Sequence, residues 1–256
     1  MDFGLKDKVA IVTGGARGIG RIDSIVLARE GARVIIIDIL KSETEDVVRE
    51  IHQEGGNAEA VNLDISDRTA VADAVQTQYE KFGQIDILVN NAAIVNTLST
   101  ISKFDDEKWE RDLKVNLTGA YNITKAVFPV MKANKWGRIV WMSSIVGLSG
   151  GFAQASYTTT KMGIVGLAKT IALEGARHNI TSNVIAPGII GSEVFLTSVE
   201  DNVKNEVRKR TAFGREGETW DIANAIAFLC SEQARYITGI VLPVMGGLDL
   251  FTIFPA

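Results

Sequence analysis

Cysteine, histidine and proline are all scarce in this sequence, and each shortage excludes a class of protein. Its 256 residues include four prolines, two histidines and one cysteine, Cys230. One cysteine cannot form an intrachain disulfide, and no cationic, apolar leader precedes the first predicted strand; both observations indicate a reducing, cytoplasmic location. His52 and His178 lie in charged stretches typical of solvated helix surface. We therefore predict neither a histidine-based catalytic triad nor a metal site.

Basic residues do not outnumber acidic ones, and they form no run. Lysine and arginine total 27 against 31 aspartates and glutamates, which gives a net charge of −4. This balance argues against nucleic acid or an anionic membrane as a partner. The uncharged run at 139–160 contains serines, threonines and glycines, so hydrocarbon would solvate it poorly and no membrane span is predicted. We expect a small-molecule substrate and acid–base chemistry from tyrosine, lysine or carboxylates.

Short apolar runs alternate with helical patterns along the whole chain. Seven strands are predicted, at 9–12, 34–37, 58–62, 85–89, 138–142, 181–185 and 240–243. Helices are predicted up to residue 30 and at 42–53, 70–82, 106–134, 156–177 and 221–230, with Ser42 and Glu45 as a capping box for the second. Continuous apolar strands between amphipathic helices indicate an α/β fold. We expect one doubly wound Rossmann-type domain over 1–256, with a parallel sheet of about seven strands and helices on both faces.

A glycine-rich stretch at 13–20 follows the first strand and opens a helix, where backbone N–H groups can bind a pyrophosphate. Asp38 ends the second strand, 20 residues beyond Gly18. A carboxylate there can accept hydrogen bonds from the adenosine ribose hydroxyls and would repel a 2′-phosphate. The alternative, a turn or helix cap, is weakened because Ser42 supplies a cap. Arg17 favours NADP instead, since its cation could pair with a 2′-phosphate. We predict NAD as the cofactor, with NADP the less favoured alternative.

Tyr157 and Lys161 are four residues apart at the start of a predicted helix and share one face. Alone, such a pair is usually exposed surface. Here it follows Ser143 and Ser144 at the end of a parallel strand, where open α/β sheets place their sites. A free tyrosine titrates near ~10, so acid–base work at neutral pH requires its pKa to be lowered by an ammonium and a bound nicotinamide cation.

Taken together, these motifs resemble the short-chain dehydrogenase/reductases, over essentially the whole chain. The resemblance rests on the loop at 13–20, Asn90-Asn91-Ala92-Ala93, Val115-Asn116-Leu117, Ser143-Ser144, Tyr157 with Lys161, and Pro187-Gly188. It implies that Tyr157 is the general acid/base, that Ser144 polarises the substrate oxygen, and that Lys161 holds the nicotinamide ribose and depresses the pKa of the tyrosine. Asn116 would support a water-linked proton relay through Lys161.

The same resemblance implies a set of cofactor-binding residues: Gly14, Arg17, Gly18, Ile19, Gly20, Asp38, Asp64, Ile65, Asn90, Tyr157, Lys161, Ile190 and Ser192. Substrate is expected to contact Ser144, Tyr157, Val95, Gln154 and Phe195, in a largely apolar pocket that helices within 193–210 close. Asp23 stands where this family usually has a small apolar residue. We expect its carboxylate to face solvent.

The predicted function is hydride transfer between a nicotinamide cofactor and a secondary alcohol/ketone substrate, hydrophobic or cyclic in character. Two alternatives stay open at this point: a catalytically silent dinucleotide-binding scaffold or partner subunit, and a polyol or sugar dehydrogenase. The tail at 248–256 is rich in apolar side chains. Because such an end would be poorly solvated, we expect a homo-oligomer, a dimer or tetramer, with the tail buried at an interface.

Overall fold

All seven predicted strands belong to one parallel sheet. The structure is a computed structural model that describes residues 3–95, 98–198, 200–248 and 250. Within these residues the strands are β1 (Val9–Thr13), β2 (Arg33–Asp38), β3 (Asn57–Asn62), β4 (Ile87–Asn90), β5 (Gly137–Met142), β6 (Ile180–Pro187) and β7 (Val241–Val244). Their order in the sheet is β3-β2-β1-β4-β5-β6-β7. The predicted fold class is confirmed.

Helices connect the strands and cover both faces of the sheet. They are α1 (Gly18–Arg29), α2 (Lys41–Gln53), α3 (Arg68–Phe82), α4 (Asp106–Leu113), α5 (Ala120–Asn134), α6 (Ile145–Ser149), α7 (Ala155–Gly175), α8 (Glu193–Ser198), α9 (Asp201–Arg210) and α10 (Thr219–Cys230). One apolar core lies between the sheet and α1, α2 and α10. A second core lies between the sheet and α3, α5 and α7. Both faces of the strands are therefore buried, which explains why the strands are continuous apolar runs.

The strand order reverses on either side of β1, since β2 lies beside one edge of it and β4 beside the other. Open α/β sheets bind ligands in the crevice that such a reversal creates at the carboxyl ends of the strands. The segments that follow β1, β4 and β5 all begin at this edge. The fold therefore brings the glycine-rich loop, the stretch after Asn90 and the two serines after Met142 to one place.

The helix predicted at 106–134 is divided. α4 and α5 are joined by a π-helical turn, Lys114–Gly119, which contains Asn116. Such turns widen the helix locally and are frequent at functional sites. The capping-box prediction is wrong: α2 begins at Lys41, its N-cap is Leu40, and no side chain caps it.

Asp23 differs most from its prediction. Its carboxylate was expected to face solvent, yet the residue is fully buried, and neither oxygen has a hydrogen-bond partner among the described residues. Helix α1 packs closely against α10, so the side of α1 that bears Asp23 is covered. Burial raises the pKa of the Asp23 carboxyl well above its usual value. It also raises the pKa of Cys230 to about 12, with the charge of Asp23 adding to the shift.

Among the described residues, no helix combines the length and apolarity that crossing a bilayer requires.

Candidate active site

The loop between β1 and α1 is held tightly against the segment after β4. Gly14 has a φ of +67°, and a Cβ there would lie 2.7 Å from the Cα of Ala92. A Cβ at Gly20 would lie 2.3 Å from the carbonyl oxygen of Gly14. Asn91 Nδ2 donates to the carbonyl oxygens of Thr13, at 3.0 Å, and Gly14, at 2.9 Å. Only glycine fits these two positions, and Asn91 fixes the shape of the loop.

The N-terminus of α1 suits an anion. Its N-cap residue, Arg17, is extended, and its side chain provides no cap. Gly18 is the first residue of α1, and a Cβ there would approach only the Cβ of Ser192, at 4.0 Å. Ile19 packs instead against the core. The positive end of α1 thus faces the segment after β6, and this cradle fits the pyrophosphate of a dinucleotide.

Asp38 connects the end of β2 to the glycine-rich loop. Its Oδ2 accepts from the backbone N–H of Ala16 at 3.0 Å, and its Oδ1 accepts from that of Leu40 at 3.0 Å. The half-buried carboxylate is therefore held in place by two backbone groups. Asp38 therefore also has the structural role in a turn that the sequence argument disfavoured. Ser42 supplies no cap for α2, and the Asp38 carboxylate itself holds the turn at Leu40.

The guanidinium of Arg17 forms an ion pair with the Glu43 carboxylate on α2. The prediction left Arg17 open as a partner for a 2′-phosphate. In the structure a carboxylate already faces that cation, so this corner of the site contains two acidic groups, Asp38 and Glu43, and one basic group.

The predicted cofactor-binding residues Asp64, Ile65 and Asn90 have local partners. Asp64 is exposed, and its Oδ1 accepts from Ser66 N at 2.8 Å. Ile65 is buried, with its side chain against Gly119 of the π turn. Asn90 is buried and donates through Nδ2 to Thr124 Oγ1 at 3.0 Å, while its Oδ1 has no partner among the described residues. That unpaired acceptor belongs to the last residue of β4.

After β6, Ile190 is buried and its carbonyl accepts from Ser192 N at 2.8 Å. The Ser192 Oγ accepts from Phe195 N at 3.3 Å, at the start of α8. Phe195 is half-buried. This turn places Ser192 near Gly18, so the two predicted cofactor contacts meet across the crevice.

Ser144, Tyr157 and Lys161 come together at the carboxyl end of β5. The Ser144 side chain lies beside the Tyr157 hydroxyl and acts to lower the pKa of that phenol. The Nζ of Lys161 lies 5.5 Å from the centroid of the Tyr157 ring and donates to the carbonyl oxygen of Met142 at 2.7 Å. Lys161 is 2% exposed, and its burial lowers the pKa of the ammonium to about 8.

Two effects of the protein act on the pKa of Tyr157 in opposite directions. Burial raises it, and the side chain of Ser144 opposes that rise. The expected depression requires positive charge near the phenolate, yet the nearest ammonium, that of Lys161, donates to the Met142 carbonyl. The protein groups alone therefore do not lower this pKa. Additional positive charge in the cleft, of the kind that a nicotinamide cation carries, is needed.

Asn116 is fully buried in the π turn. Its Oδ1 accepts from Ile94 N at 2.7 Å, and its Nδ2 donates to Ile94 O at 2.9 Å. Both ends of the amide therefore hold the segment after β4 in place. A role in proton relay stays a prediction.

Two of the expected substrate residues lie on neighbouring segments at the surface. Val95 is half-exposed and Gln154 half-buried. The segments that carry them are joined by a backbone bridge in which Ser99 N donates to Ala153 O at 2.9 Å. Several large apolar side chains on segments that follow strand ends are exposed: Leu98, Ile101, Leu148, Phe152, Leu196 and Phe213. We call this set the apolar rim.

Three residues that support the site were not among the predicted site residues. Thr13 Oγ1 accepts from the backbone N–H groups of Asn91 and Ala92, Asn91 clasps the loop, and Ser143 Oγ donates to Lys161 O at 2.8 Å. Asn91 and Ser143 belong to motifs that the sequence analysis quotes, each next to a predicted site residue, and this adjacency could have identified them as supporting residues. Thr13 likewise opens the recognised glycine-rich stretch at 13–20. Among the described residues, no cluster of histidine, cysteine or acidic side chains is arranged to hold a metal.

Comparison with known proteins agrees with this geometry. A family model for short chain dehydrogenases matches residues 8–203. The 3-oxoacyl-(acyl-carrier-protein) reductase of Aquifex aeolicus is 39% identical over 252 residues, covering 97% of this chain and 100% of the relative. The enzyme of the same name from Thermotoga maritima is 36% identical over 244 residues, covering 95% and 98%. A provisionally named gluconate dehydrogenase from Agrobacterium tumefaciens has a solved structure with a TM-score of 0.93 at 30% identity, covering 98% of this chain and 100% of that one.

Proposed function

The chain belongs to the short-chain dehydrogenase family, and on that premise we propose that it is an NAD-dependent enzyme interconverting a secondary alcohol and a ketone. Members of the family are oxidoreductases that use a nicotinamide cofactor. The observation that carries the proposal is the cluster of Ser144, Tyr157 and Lys161 at the carboxyl end of β5, facing the crevice that the α1 cradle also borders. A silent scaffold has no need for this cluster.

Each residue of the cluster has a definite task in the proposed reaction. Tyr157 Oη donates a proton to the substrate carbonyl oxygen during reduction and accepts it from the hydroxyl during oxidation. Ser144 Oγ, on the side chain beside that hydroxyl, orients the same substrate oxygen and stabilises its developing negative charge. Lys161 supplies a buried positive charge beside the tyrosine. The nicotinamide ring, when bound, supplies or accepts the hydride.

Support for NAD comes from charge at the end of β2. A 2′-phosphate would approach the Asp38 carboxylate, which two backbone N–H groups hold in place. Arg17, the cation that could compensate, is paired with Glu43. Two carboxylates against one guanidinium leave this corner with a net negative charge, which disfavours a second anionic group.

Support for an apolar ketone substrate comes from the apolar rim. Phe152 is 91% exposed and Ile101 79% exposed, and exposed apolar surface of this kind marks ligand or partner contacts. A 3-oxoacyl thioester is a second candidate, favoured by the names of both curated relatives. Its keto group sits on an apolar chain, which the same rim would accommodate. A sugar acid, suggested by the solved structure, finds fewer polar partners here, with Gln154 the amide at the mouth.

The test is oxidation of NADH and of NADPH by the purified protein with cyclohexanone, acetoacetyl-coenzyme A and, in the reverse direction, gluconate. The proposal requires NADH oxidation with at least one ketone at a higher kcat/KM than with NADPH. Turnover with gluconate but with neither ketone would show that the substrate is a sugar acid rather than an apolar ketone. Failure to turn over either cofactor with cyclohexanone, with acetoacetyl-coenzyme A and with gluconate would overturn the alcohol/ketone assignment.

We also propose that the protein is a cytoplasmic homo-oligomer with its C-terminal tail at an interface. Residues 249 and 251–256 of that tail lie outside the described residues. Support comes from apolar side chains exposed on helices α5 and α7, namely Tyr121, Met162 and Leu173, since such surface is better covered by a second copy than by water. Mass measurement of the full chain and of a chain ending at Gly247 tests it: a smaller assembly in the truncated chain is expected, and an unchanged one would contradict the role of the tail.

A further inference from the structure

A buried hydrogen bond connects the helix before the π turn to the helix that carries Tyr157. Ser156 Oγ donates to Asp112 Oδ2 at 2.6 Å, and both residues are buried. The other carboxylate oxygen, Oδ1, accepts from Arg111 Nη2 at 3.1 Å. At 2.6 Å the Ser156–Asp112 contact is a short, charge-assisted bond of the stronger kind.

The positions of the two residues give this bond its significance. Asp112 lies in the last turn of α4, directly before the π turn that carries Asn116. Ser156 is the second residue of α7, and Tyr157 is the third. The bond therefore joins the two backbone segments that present Asn116 and Tyr157 to the crevice, each within four residues of it.

Apart from the Ser156–Asp112 bond, backbone hydrogen bonds hold the start of α7, with Thr158 N donating to Gln154 O at 2.8 Å and Ser99 N to Ala153 O at 2.9 Å. The N-cap residue of α7, Gln154, makes no side-chain cap. The preceding residue, Ala153, has a φ of +60°, which an L side chain rarely adopts. A buried carboxylate is also a costly way to hold two helices together, because apolar residues of similar volume often do so at least as well. A polar pair at such a cost is best explained by the geometry that it specifies.

We propose that Asp112 is a positioning residue that, through Ser156 Oγ, sets the first turn of α7 and so the place of the Tyr157 hydroxyl beside Ser144. The inference rests on the proposed function of Tyr157. Loss of the bond would leave the cofactor cradle at α1 unaltered, since Asp112 and Ser156 touch none of its residues. It would displace the proton donor from the substrate oxygen, which slows the chemical step rather than weakening cofactor binding.

The test compares Asp112→Val, which removes the acceptor, with Asp112→Asn, whose amide oxygen can still accept from Ser156. Steady-state rates use NADH with whichever of cyclohexanone and acetoacetyl-coenzyme A the wild type reduces faster, and NADH affinity is measured by fluorescence titration. Asp112→Val is expected to lower kcat by about tenfold or more, with KM and the Kd of NADH within about twofold. Asp112→Asn should recover most of that loss. Glu110→Val, at an exposed position on the same helix, is the matched control and should retain kcat.

Ser156→Ala and the double variant complete the test. Ser156→Ala should match Asp112→Val, and the double variant should be no worse than either, because both changes break one bond. Unchanged kcat in Ser156→Ala, or losses that add in the double variant, would overturn the positioning role; this arm also decides the matter if Asp112→Val fails to fold. Tyr157→Phe, measured alongside, separates the two proposals. Full turnover in Tyr157→Phe overturns both, whereas loss there with full turnover in Asp112→Val overturns only the role of Asp112.

Discussion

Lys161 Nζ lies 2.7 Å from the carbonyl oxygen of Met142, the last residue of β5. The backbone of the same lysine accepts a hydrogen bond from Ser143, the next residue along the chain. Both ends of Lys161 are therefore held by the end of the strand, and Ser144 follows directly. The ammonium and the substrate-orienting hydroxyl are consequently fixed to one strand end, while Tyr157 reaches them from the first turn of α7. The predictions below depend on this arrangement.

Removing the phenolic hydroxyl of Tyr157 should nearly abolish the reaction while NADH still binds. Tyr157→Phe keeps the ring, which packs beside Lys161, but has no proton to give to the substrate oxygen. We expect turnover to fall by about 10²-fold or more, with NADH affinity nearly intact by fluorescence titration. Retention of more than a tenth of wild-type turnover would contradict the assignment of Tyr157 as the acid/base.

Asp38→Asn should relax the preference between the two cofactors. The asparagine keeps one acceptor oxygen for Ala16 N or Leu40 N but loses the charge that opposes a 2′-phosphate. We expect the NADPH-to-NADH ratio of kcat/KM to rise by about tenfold, equivalent to ~1.4 kcal/mol. Asp46→Asn, on an exposed part of α2, is the control and should leave the ratio unchanged. An unaltered ratio in Asp38→Asn would show that Asp38 does not determine cofactor choice.

Asp23→Val should stabilise the protein. The buried carboxyl has no hydrogen-bond partner among the described residues, and valine has a similar volume without its polar atoms. Because an unsatisfied buried polar group costs about 1–3 kcal/mol, we expect a gain in unfolding free energy of that order in urea titrations. Asp73→Val, at an exposed position on α3, should give no gain.

The same residue predicts how stability depends on pH. The folded-state pKa of Asp23 is raised above its usual 3.8, so the folded protein holds this proton more tightly than the unfolded chain. Its contribution to stability is therefore complete below about pH 4 and is lost as pH rises through the folded-state pKa. Asp23→Val should remove this part of the slope in urea midpoints measured across pH. An identical slope in the variant would contradict the burial of an unpaired carboxyl.

The lowered pKa of Lys161 predicts that the reaction with NADH slows at alkaline pH. Burial lowers its pKa to about 8, so the free protein loses this positive charge as pH rises through that value. Because kcat/KM reports groups of the free enzyme, kcat/KM for NADH at saturating ketone should fall above about pH 8. A value that stays flat to about pH 10, near the usual titration of lysine, would contradict the low pKa.

The features that sequence alone could predict are those fixed by short-range patterning. The seven strands and the order of motifs are confirmed, because a buried parallel strand must be apolar on both faces and because the segments after β1, β4 and β5 must meet at one edge. Ser144 lies at the site because it follows the end of β5, and Tyr157 and Lys161 lie side by side because residues four apart share one face of a helix. Each of these outcomes follows from the periodicity or spacing of neighbouring residues.

The wrong predictions concern one contact between distant elements and two local departures from regular helix patterns. Asp23 is buried because α10, formed near the other end of the sequence, covers it. Ser42 was assigned a cap that Asp38 makes unnecessary by turning the chain at Leu40. The lowered pKa of Tyr157, expected with a nicotinamide cation bound, stays a prediction; the protein groups alone raise it, because the side chain is buried. The π turn at Asn116 divides the predicted long helix, and its two hydrogen bonds to Ile94 could not be foreseen from helical periodicity.

Hydrogen bonds hold the segment from Asn91 to Ile94 at both of its ends. Asn91 clasps the glycine-rich loop, and the backbone of Ile94 is bound by Asn116 in the π turn. These four consecutive residues therefore connect the glycine-rich loop, where a pyrophosphate is expected, to the π turn that carries Asn116. Because these hydrogen bonds connect the loop to the π turn, we expect a displacement of the loop to move the backbone before Val95 as well.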